Sequence, residues 1–600
     1  LALVAMKTLL EWNMKKNTRD SGTTAAAESS PKITVEATTG GWSNKSFNLF
    51  WLTGVVFVGL FFLVLKSYNI QPYSSDESIY INQGKLITEG FTPYEDYAMA
   101  HPPLQSIFIA LIIKTVGYNF EFFRLIPALW CLLAGVLLSI MVRREYGSFA
   151  AVMAMGLYVL SYEPLRAASH FTGVNMTIAI LMAAFLAQRK EKILLCAIFC
   201  VLAVFTRLYA IPAVMALVLS SFLRDRKEAL HLVGYGATAG IIAFLMVGIW
   251  TGFGAFMNDV FLFQAQKTSM TLDKLQDMRD GVLFHNAIPF VLFLLGAFTV
   301  TGGYFRKLIS PSDAQKKNKK KSDVKDEDDL SLVYLSVFAV IFICSILLNM
   351  DRVWMYYYVL AFPFGAITGG WLLEWWRKQL AEVFVALKSG TFSAMVKSPW
   401  LAGSLLIFIG AWFASPRLEK RLDYYKEKMR EAPEKRIASY TWRDGKVPAF
   451  VNDLMKSLFW KDQRVIGEHY NFINYYLWHS SRTLDITEAV VEEIKKRTSE
   501  KDFIFGDSGT VPLFALLANR DIAGKEVDTN IERYRSGNAD VREMVARIDT
   551  ASTKLILLRD NFGVAVFPEV KELVGRNYKE VKVFNSNTGF TLRMYERLPG

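Results

Sequence analysis

Apolar runs close to the length of a bilayer crossing recur between residues 47 and 414, separated by short polar turns. A hydrocarbon layer about 30 Å thick takes roughly 20 helical residues, and every backbone polar group inside it must bond within its own segment. That restricts this part of the chain to a polytopic bundle of α-helices. The runs fall at 48–66, 123–142, 149–162, 172–187, 192–206, 208–223, 232–252, 284–303, 331–349, 354–374 and 398–414. They predict about eleven transmembrane helices, several shorter than an untilted crossing needs. A water-soluble chain of 600 residues would instead divide into several domains with charged surfaces.

Charge sets the orientation. The net charge of +12 lies mostly in short loops between apolar runs, so it speaks for topology rather than for nucleic acid. The run Leu104 to Gly117 is short and follows Pro102-Pro103. Counted as a crossing, it puts Arg143-Arg144 and Gln188-Arg189-Lys190 outside, against the positive-inside bias. Counted as an interfacial helix, it leaves five basic loops in the cytosol: Arg143-Arg144, Arg189-Lys190, Arg224 to Lys227, Lys316 to Lys321 and Arg377-Lys378. The expected protein is therefore a multi-pass one of the plasma membrane. A first outer loop at 67–122 and everything after Pro416 lie outside the cell.

Three regions flank or interrupt the bundle of 47–414. Residues 1–46 are polar and read as a disordered cytosolic tail, and 305–330 as a charged cytosolic linker. From 415 to 600 the composition becomes that of a soluble domain. Phe503 to Phe505, Leu555 to Leu558 and Val581 to Phe584 read as strands; Glu488 to Arg497, Val511 to Asn519 and Asp540 to Ile548 read as helices. The alternation predicts a small extracytoplasmic α/β domain. All four cysteines, Cys131, Cys196, Cys200 and Cys344, fall inside apolar runs, which argues for small buried residues rather than disulfides or zinc ligands.

Chemistry concentrates in the stretch from Ser74 to Leu104. Two adjacent carboxylates, Asp76 and Glu77, stand just beyond the first apolar run. Such groups must stay hydrated, pair with a cation or serve a site. One reading is a general base beside the membrane; the other is acid in the first turn of a helix from Glu77 to Glu89. His101 before Pro102-Pro103 is either a phosphate or acceptor contact or part of a structural stop. Arg124, Arg207, Lys267 and Arg352 sit near span ends, either snorkelling or forming a phosphate clamp. Gly506-Asp507-Ser508-Gly509-Thr510 looks like a protease nucleophile loop, but a turn and helix cap explains it better, since only His469 and His479 lie in that domain. No phosphate-binding glycine loop or dinucleotide fingerprint is present.

The pattern Asp76-Glu77, then Gly90-x-x-Pro93-Tyr94-x-Asp96-Tyr97, then His101-Pro102-Pro103-Leu104 resembles the C-type (GT-C) glycosyltransferase superfamily, in its protein O-mannosyltransferase and aminoarabinose-transferase-like branch. Gly117-Tyr118, Phe122-Phe123-Arg124, Thr206-Arg207-Leu208-Tyr209 and Tyr356-Tyr357-Tyr358 with Pro363 continue it. The resemblance implies a sugar donor on a polyprenyl phosphate, an outward-facing site and inversion at the sugar carbon. It places Asp76 as catalytic base with Glu77 its neighbour, and His101 and Arg124 at the donor phosphate; Arg207, Lys267, Arg352 and Tyr357 are the further donor-phosphate candidates. Tyr94, Asp96 and Gln264 belong to the acceptor or its loop, and the loop 254–281 would close over the site. Ala100-His101-Pro102 stands where the lipid A-modifying branch has Glu-Lys-Pro, so the acceptor (glycan, lipid or protein) stays open. The sequence specifies no cofactor and leaves metal dependence open, with Asp76, Glu77 and Asp96 the candidates for a divalent cation. The competing class is a lipid-linked sugar transporter or flippase. It predicts internal repeats and charges deep within helices, neither of which the sequence offers.

Overall fold

The computed structural model describes residues 44–67, 76–263, 286–309, 359–388, 399–418, 486–586 and 591–599. The expected span at 331–349, the tail before residue 44 and the linker after residue 309 lie outside them.

Among the described residues the apolar runs are helices. Asn44–Ser67, Phe120–Tyr146 and Arg226–Thr251 each contain a segment long and apolar enough to cross a membrane, and shorter apolar helices fill the places of most other expected spans. The Phe120–Tyr146 helix starts where the Asn119 side chain accepts the Phe122 amide at 2.8 Å, and stops at Gly147, whose φ of +94° suits a residue without Cβ. The interior of the bundle is built from small side chains. Cys131, Ala134 and Leu138 meet Ala150, Ala151, Ala154 and Met155 of the Ser148–Val159 helix. A Cβ on Gly370 of the Phe362–Lys388 helix would come within 2.8 Å of Ala154 Cβ, so these helices approach at backbone distance. The outer face of Arg226–Thr251 leaves Ile241, Ile242, Leu245, Met246 and Ile249 exposed, an apolar stripe that fits lipid rather than water. The chain is an integral membrane protein with a small C-terminal sheet domain.

The run after Pro102-Pro103 is a 13-residue helix, Leu104–Val116. At 1.5 Å per residue it spans only about 20 Å, short of a bilayer core. It packs along the Asp76–Thr88 helix, where Gly84 lets Ile109 sit directly on the backbone.

The C-terminal domain is a five-stranded mixed sheet of β1 Phe503–Gly506, β2 Asp521–Ile522, β3 Thr553–Arg559, β4 Tyr578–Asn585 and β5 Thr591–Arg597, in the order β2-β1-β3-β5-β4. β1 is parallel to β2 and β3, and the β4–β5 hairpin adds antiparallel to β3. The domain is joined to the bundle by a shared core. Ile79 and Tyr97 pack with Val490, Ile504, Val511 and Phe514. Polar contacts surround that core: Asn82 Nδ2 donates to the Pro512 carbonyl at 3.0 Å, Lys85 meets Asp521 at 2.6 Å, and Arg533 meets Asp259 at 3.2 Å.

Candidate functional site

A cavity of about 150 Å³ lies where the polar segment after the first helix meets the C-terminal domain. Its membrane-side wall carries Asp76 and Tyr80 from the first turns of the Asp76–Thr88 helix, with His101, Arg207 and Tyr209. Phe263 closes one edge, directly after a turn of π-helix at Asn258–Leu262, an irregularity frequent at functional sites. Ser508, Asp528 and Asn530 of the C-terminal domain form the opposite wall.

The two adjacent acids divide. Asp76 is exposed on the cavity, whereas Glu77, one residue on, turns into the protein and is only 2% exposed. Arg124 Nη1 donates to both Glu77 oxygens at 3.0 and 3.1 Å, and the Phe171 amide donates to Glu77 Oε2 at 2.8 Å. Neither Glu77 nor Arg124 lines the cavity: they tie the Asp76–Thr88 helix to the Phe120–Tyr146 helix beneath it. The sequence reading gave Glu77 to the base pair and Arg124 to the donor phosphate. The geometry pairs them with each other because each is the counter-charge that makes the other's burial tolerable.

Arg207 reaches the cavity. It follows the Ile193–Thr206 helix, lies with its guanidinium 4.6 Å from the Tyr80 ring, and is 2% exposed. Nε donates to the Thr172 carbonyl at 2.9 Å, and Nη2 to that same carbonyl and to Gln105 Oε1 at 2.5 Å. Nη1 makes no hydrogen bond among the described residues, so one edge of the cation is held and the other is available. His101 lies beside Tyr80, ring centres 5.8 Å apart.

Tyr94 and Asp96 shape the turn instead of lining the cavity. Tyr94 has a φ of +67°, rare for a residue with a side chain. It is fixed there by its amide bond to the Tyr97 carbonyl at 2.9 Å and by its hydroxyl donating to the His101 carbonyl at 2.7 Å. Asp96 accepts the Thr92 amide at 2.7 Å and meets Lys525 at 3.4 Å; that amide bond, with Lys525 adding to it, holds the carboxyl below the ordinary aspartate range. Asp76, Glu77 and Asp96 thus point to three different places, and among the described residues no group of three metal-ligating side chains converges. Lys267, Arg352, Tyr357 and Gln264 lie outside the described residues.

The residues missed by sequence reasoning as cavity groups are Ser508, Asp528 and Asn530. The Gly506 to Thr510 segment is a turn leading into the Val511–Ala518 helix, with the Thr510 and Val511 amides both bonding the Asp507 carbonyl, but Thr510 at the N-cap makes no side-chain cap bond. Its Asp507 carboxyl is buried 3.6 Å from Arg559 and backs onto Gly563, where a Cβ would come within 2.4 Å of Asp507 Oδ1. Burial holds that carboxyl above the ordinary aspartate value of 3.8, Arg559 offsetting only part of the effect. A raised folded-state pKa favours the neutral form, so its contribution is full below the unfolded value and is lost as pH rises through the folded one. Thermal unfolding followed from about pH 4 upward is therefore expected to fall more steeply in the wild type than in Asp507→Asn, which carries no titrating group there. Parallel slopes would contradict this assignment.

No family model matches the chain, and no curated protein does. Among solved structures, ArnT from Cupriavidus metallidurans bound to undecaprenyl phosphate aligns with 92% of this chain and 98% of its own, at 12% identity and a TM-score of 0.51. The apo state of the same protein aligns over 91% and 98%, at 13% identity and a TM-score of 0.51. An Archaeoglobus fulgidus oligosaccharyltransferase tethered to an acceptor peptide gives a looser likeness, 13% identity over 92% of this chain and 74% of its own, with a TM-score of 0.43. The chain shares its overall fold with these two ArnT structures, in agreement with the fold that the resemblance in its first polar segment implied.

Proposed function

We propose that this protein is an inverting glycosyltransferase that moves a sugar from a polyprenyl-phosphate donor to a hydroxyl acceptor at the outer face of the plasma membrane. The observation that carries the reading is that one cavity wall presents Asp76, exposed on it, together with Arg207, whose Nη1 makes no hydrogen bond among the described residues. Support comes from the shared fold with ArnT, a structure solved with undecaprenyl phosphate.

In this scheme the Asp76 carboxylate takes the proton of the acceptor hydroxyl as its oxygen bonds to the anomeric carbon. The bond from that carbon to the phosphate oxygen breaks, and its electron pair leaves with the polyprenyl phosphate. Arg207 meets the charge that develops on the phosphate, and a leaving group so stabilised needs no general acid. Tyr80 holds the guanidinium flat, and Thr172 and Gln105 fix its rotation. The lipid tail would lie between helices and the sugar at the water boundary.

The test is sugar transfer by the purified protein with a panel of polyprenyl-phosphate sugars and an envelope extract. Wild type is expected to transfer from at least one donor. Arg207→Lys keeps the charge but loses the fork, and is expected to raise the donor KM about tenfold to a hundredfold, the range of one charge-assisted hydrogen bond. A wild type that binds donor and moves it across vesicles without turnover would establish the transporter instead.

A further inference from the structure

We propose that the Asp259–Arg533 ion pair is a positioning device: it holds the segment carrying His101, the Phe263 edge and the Asp528 to Asn530 wall in one fixed arrangement around Asp76. Its part in turnover rests on the transferase reading above; its hold on the His101 segment does not.

The pair joins residues 274 positions apart. Asp259 lies in the π-helical turn Asn258–Leu262. Val260 of that turn and Phe256 just before it pack with Tyr94 and Met99, and the Tyr94 and Phe256 rings meet edge to face at 5.4 Å. Arg533 lies in the short Ile531–Arg535 helix of the C-terminal domain. The Arg533 and Asp259 side chains are 6% and 7% exposed, and burial that deep is tolerable for each only beside the other.

Both partners reach the cavity lining. Asp259 Oδ2 accepts the Met99 amide at 3.1 Å, and the next two residues, Ala100 and His101, line the cavity. The Tyr94 hydroxyl on the His101 carbonyl holds the far end of that segment. The Arg533 guanidinium lies 5.3 Å from the centre of the Phe263 ring. Its backbone amide bonds the Asn530 carbonyl at 3.0 Å, which ties it to the Asp528 to Asn530 wall. Three separate pieces of the lining thus meet at one contact. A misplacement of about 1 Å at a reaction site can cost on the order of a hundredfold in rate.

Other polar contacts between the same two domains have no such reach. Lys85 and Asp521 meet at 2.6 Å with side chains 28% and 47% exposed, and neither lines the cavity. They dock the domains and nothing more. The Asp259–Arg533 contact runs through a single nitrogen, Nη2, at 3.2 and 3.4 Å from the two carboxylate oxygens, so a lysine ammonium can stand in for it. With no cation at 533 the buried carboxylate must reach water or take up a proton, and either weakens its bond to the Met99 amide.

The experiment takes two readings on the full-length, detergent-purified protein: hydrogen exchange at the Met99 amide without substrate, and kcat and KM with a donor that wild type uses. Arg533→Met is expected to speed Met99 exchange about tenfold or more, the worth of one charge-assisted hydrogen bond. It is expected to lower kcat by about tenfold to a hundredfold. The donor KM should move less than about threefold, because Arg207 is held separately by Thr172 and Gln105. Arg533→Lys should stay close to wild type in both readings, and Lys85→Met should change neither. If Arg533→Met does not fold, Arg533→Gln replaces it, keeping a donor toward Asp259 without the charge. Unmoved Met99 exchange in the neutral variant overturns the proposal. Equal acceleration in Lys85→Met also overturns it, since the pair would then be one docking contact among several. Faster exchange with full turnover overturns the role in catalysis. A wild type inert with every donor overturns the transferase reading instead, and the exchange measurement still decides the hold on the His101 segment.

Discussion

Asp76→Asn is expected to lower sugar transfer by more than a hundredfold, within the roughly 10²–10⁴ that a positioned general base contributes, while donor binding persists. The substitution keeps size, removes the negative charge and replaces one acceptor oxygen by an NH2 donor. It should also keep the fold. Asp76 lies in the first turn of its helix, where a negative charge contributes roughly 0.3–1 kcal/mol at an exposed site. Asparagine is as good a helix-starting residue as aspartate. The bland role of Asp76, acid in a first turn, thus predicts a small loss of stability and unchanged transfer. The catalytic role predicts the reverse. Asp528 is the second carboxylate in the wall, and it sits on the opposite side. If Asp76→Asn stayed fully active while Asp528→Asn lost turnover, the base would belong to the C-terminal domain.

Much of the fold was legible because membrane helices and alternating α/β segments follow composition and period. The interior strands β1 and β3 are near-continuous apolar runs and were expected at Phe503 to Phe505 and Leu555 to Leu558. The two-residue β2 and the hairpin strand β5, Thr591–Arg597, carry no such signal: Arg593, Glu596 and Arg597 of β5 are half-buried charged residues that read as loop. The docking of the two domains was not legible either. It is made by Ile79 and Tyr97, which read as ordinary apolar residues of a polar loop until Val511 and Phe514 cover them. At the site, the motif located Asp76, His101 and Arg207 on one wall but could not divide Asp76 from Glu77. Adjacent helical residues differ by about 100° in direction, and which one faces water depends on where Arg124 lies, 47 positions away. The opposite wall comes from residues more than 400 positions on, and no local period announces such a meeting.

Replacing Glu77 by glutamine is expected to destabilise the protein by about 3–5 kcal/mol, the scale on which removing one partner of a buried ion pair leaves the other uncompensated. The side chains of Arg124 and Glu77 are 1% and 3% exposed, and their contact at 3.0 Å is shielded from bulk solvent. Glutamine can still accept the Phe171 amide through one oxygen, but its other end is an amide nitrogen that would face the Arg124 guanidinium, donor against donor. The measurement is unfolding of the detergent-purified protein for Glu77→Gln, Arg124→Gln and the double change Glu77→Met with Arg124→Met. Each single variant should fall, and the double variant should recover much of the loss, since an apolar pair of similar volume asks for no counter-charge. A double variant as unstable as the sum of the singles would mean that each residue serves a separate partner. The pair also decides the direction of its neighbour. With Glu77 drawn inward by Arg124, the helix turn carries Asp76 outward to the cavity, so Glu77→Gln should lose transfer beyond what its folded fraction accounts for. The Met–Met variant, stable but without the charge that draws the turn inward, separates the two effects: regained stability with transfer still low makes the ion pair a positioning device for Asp76, and transfer regained in step with stability makes it a support for the fold alone.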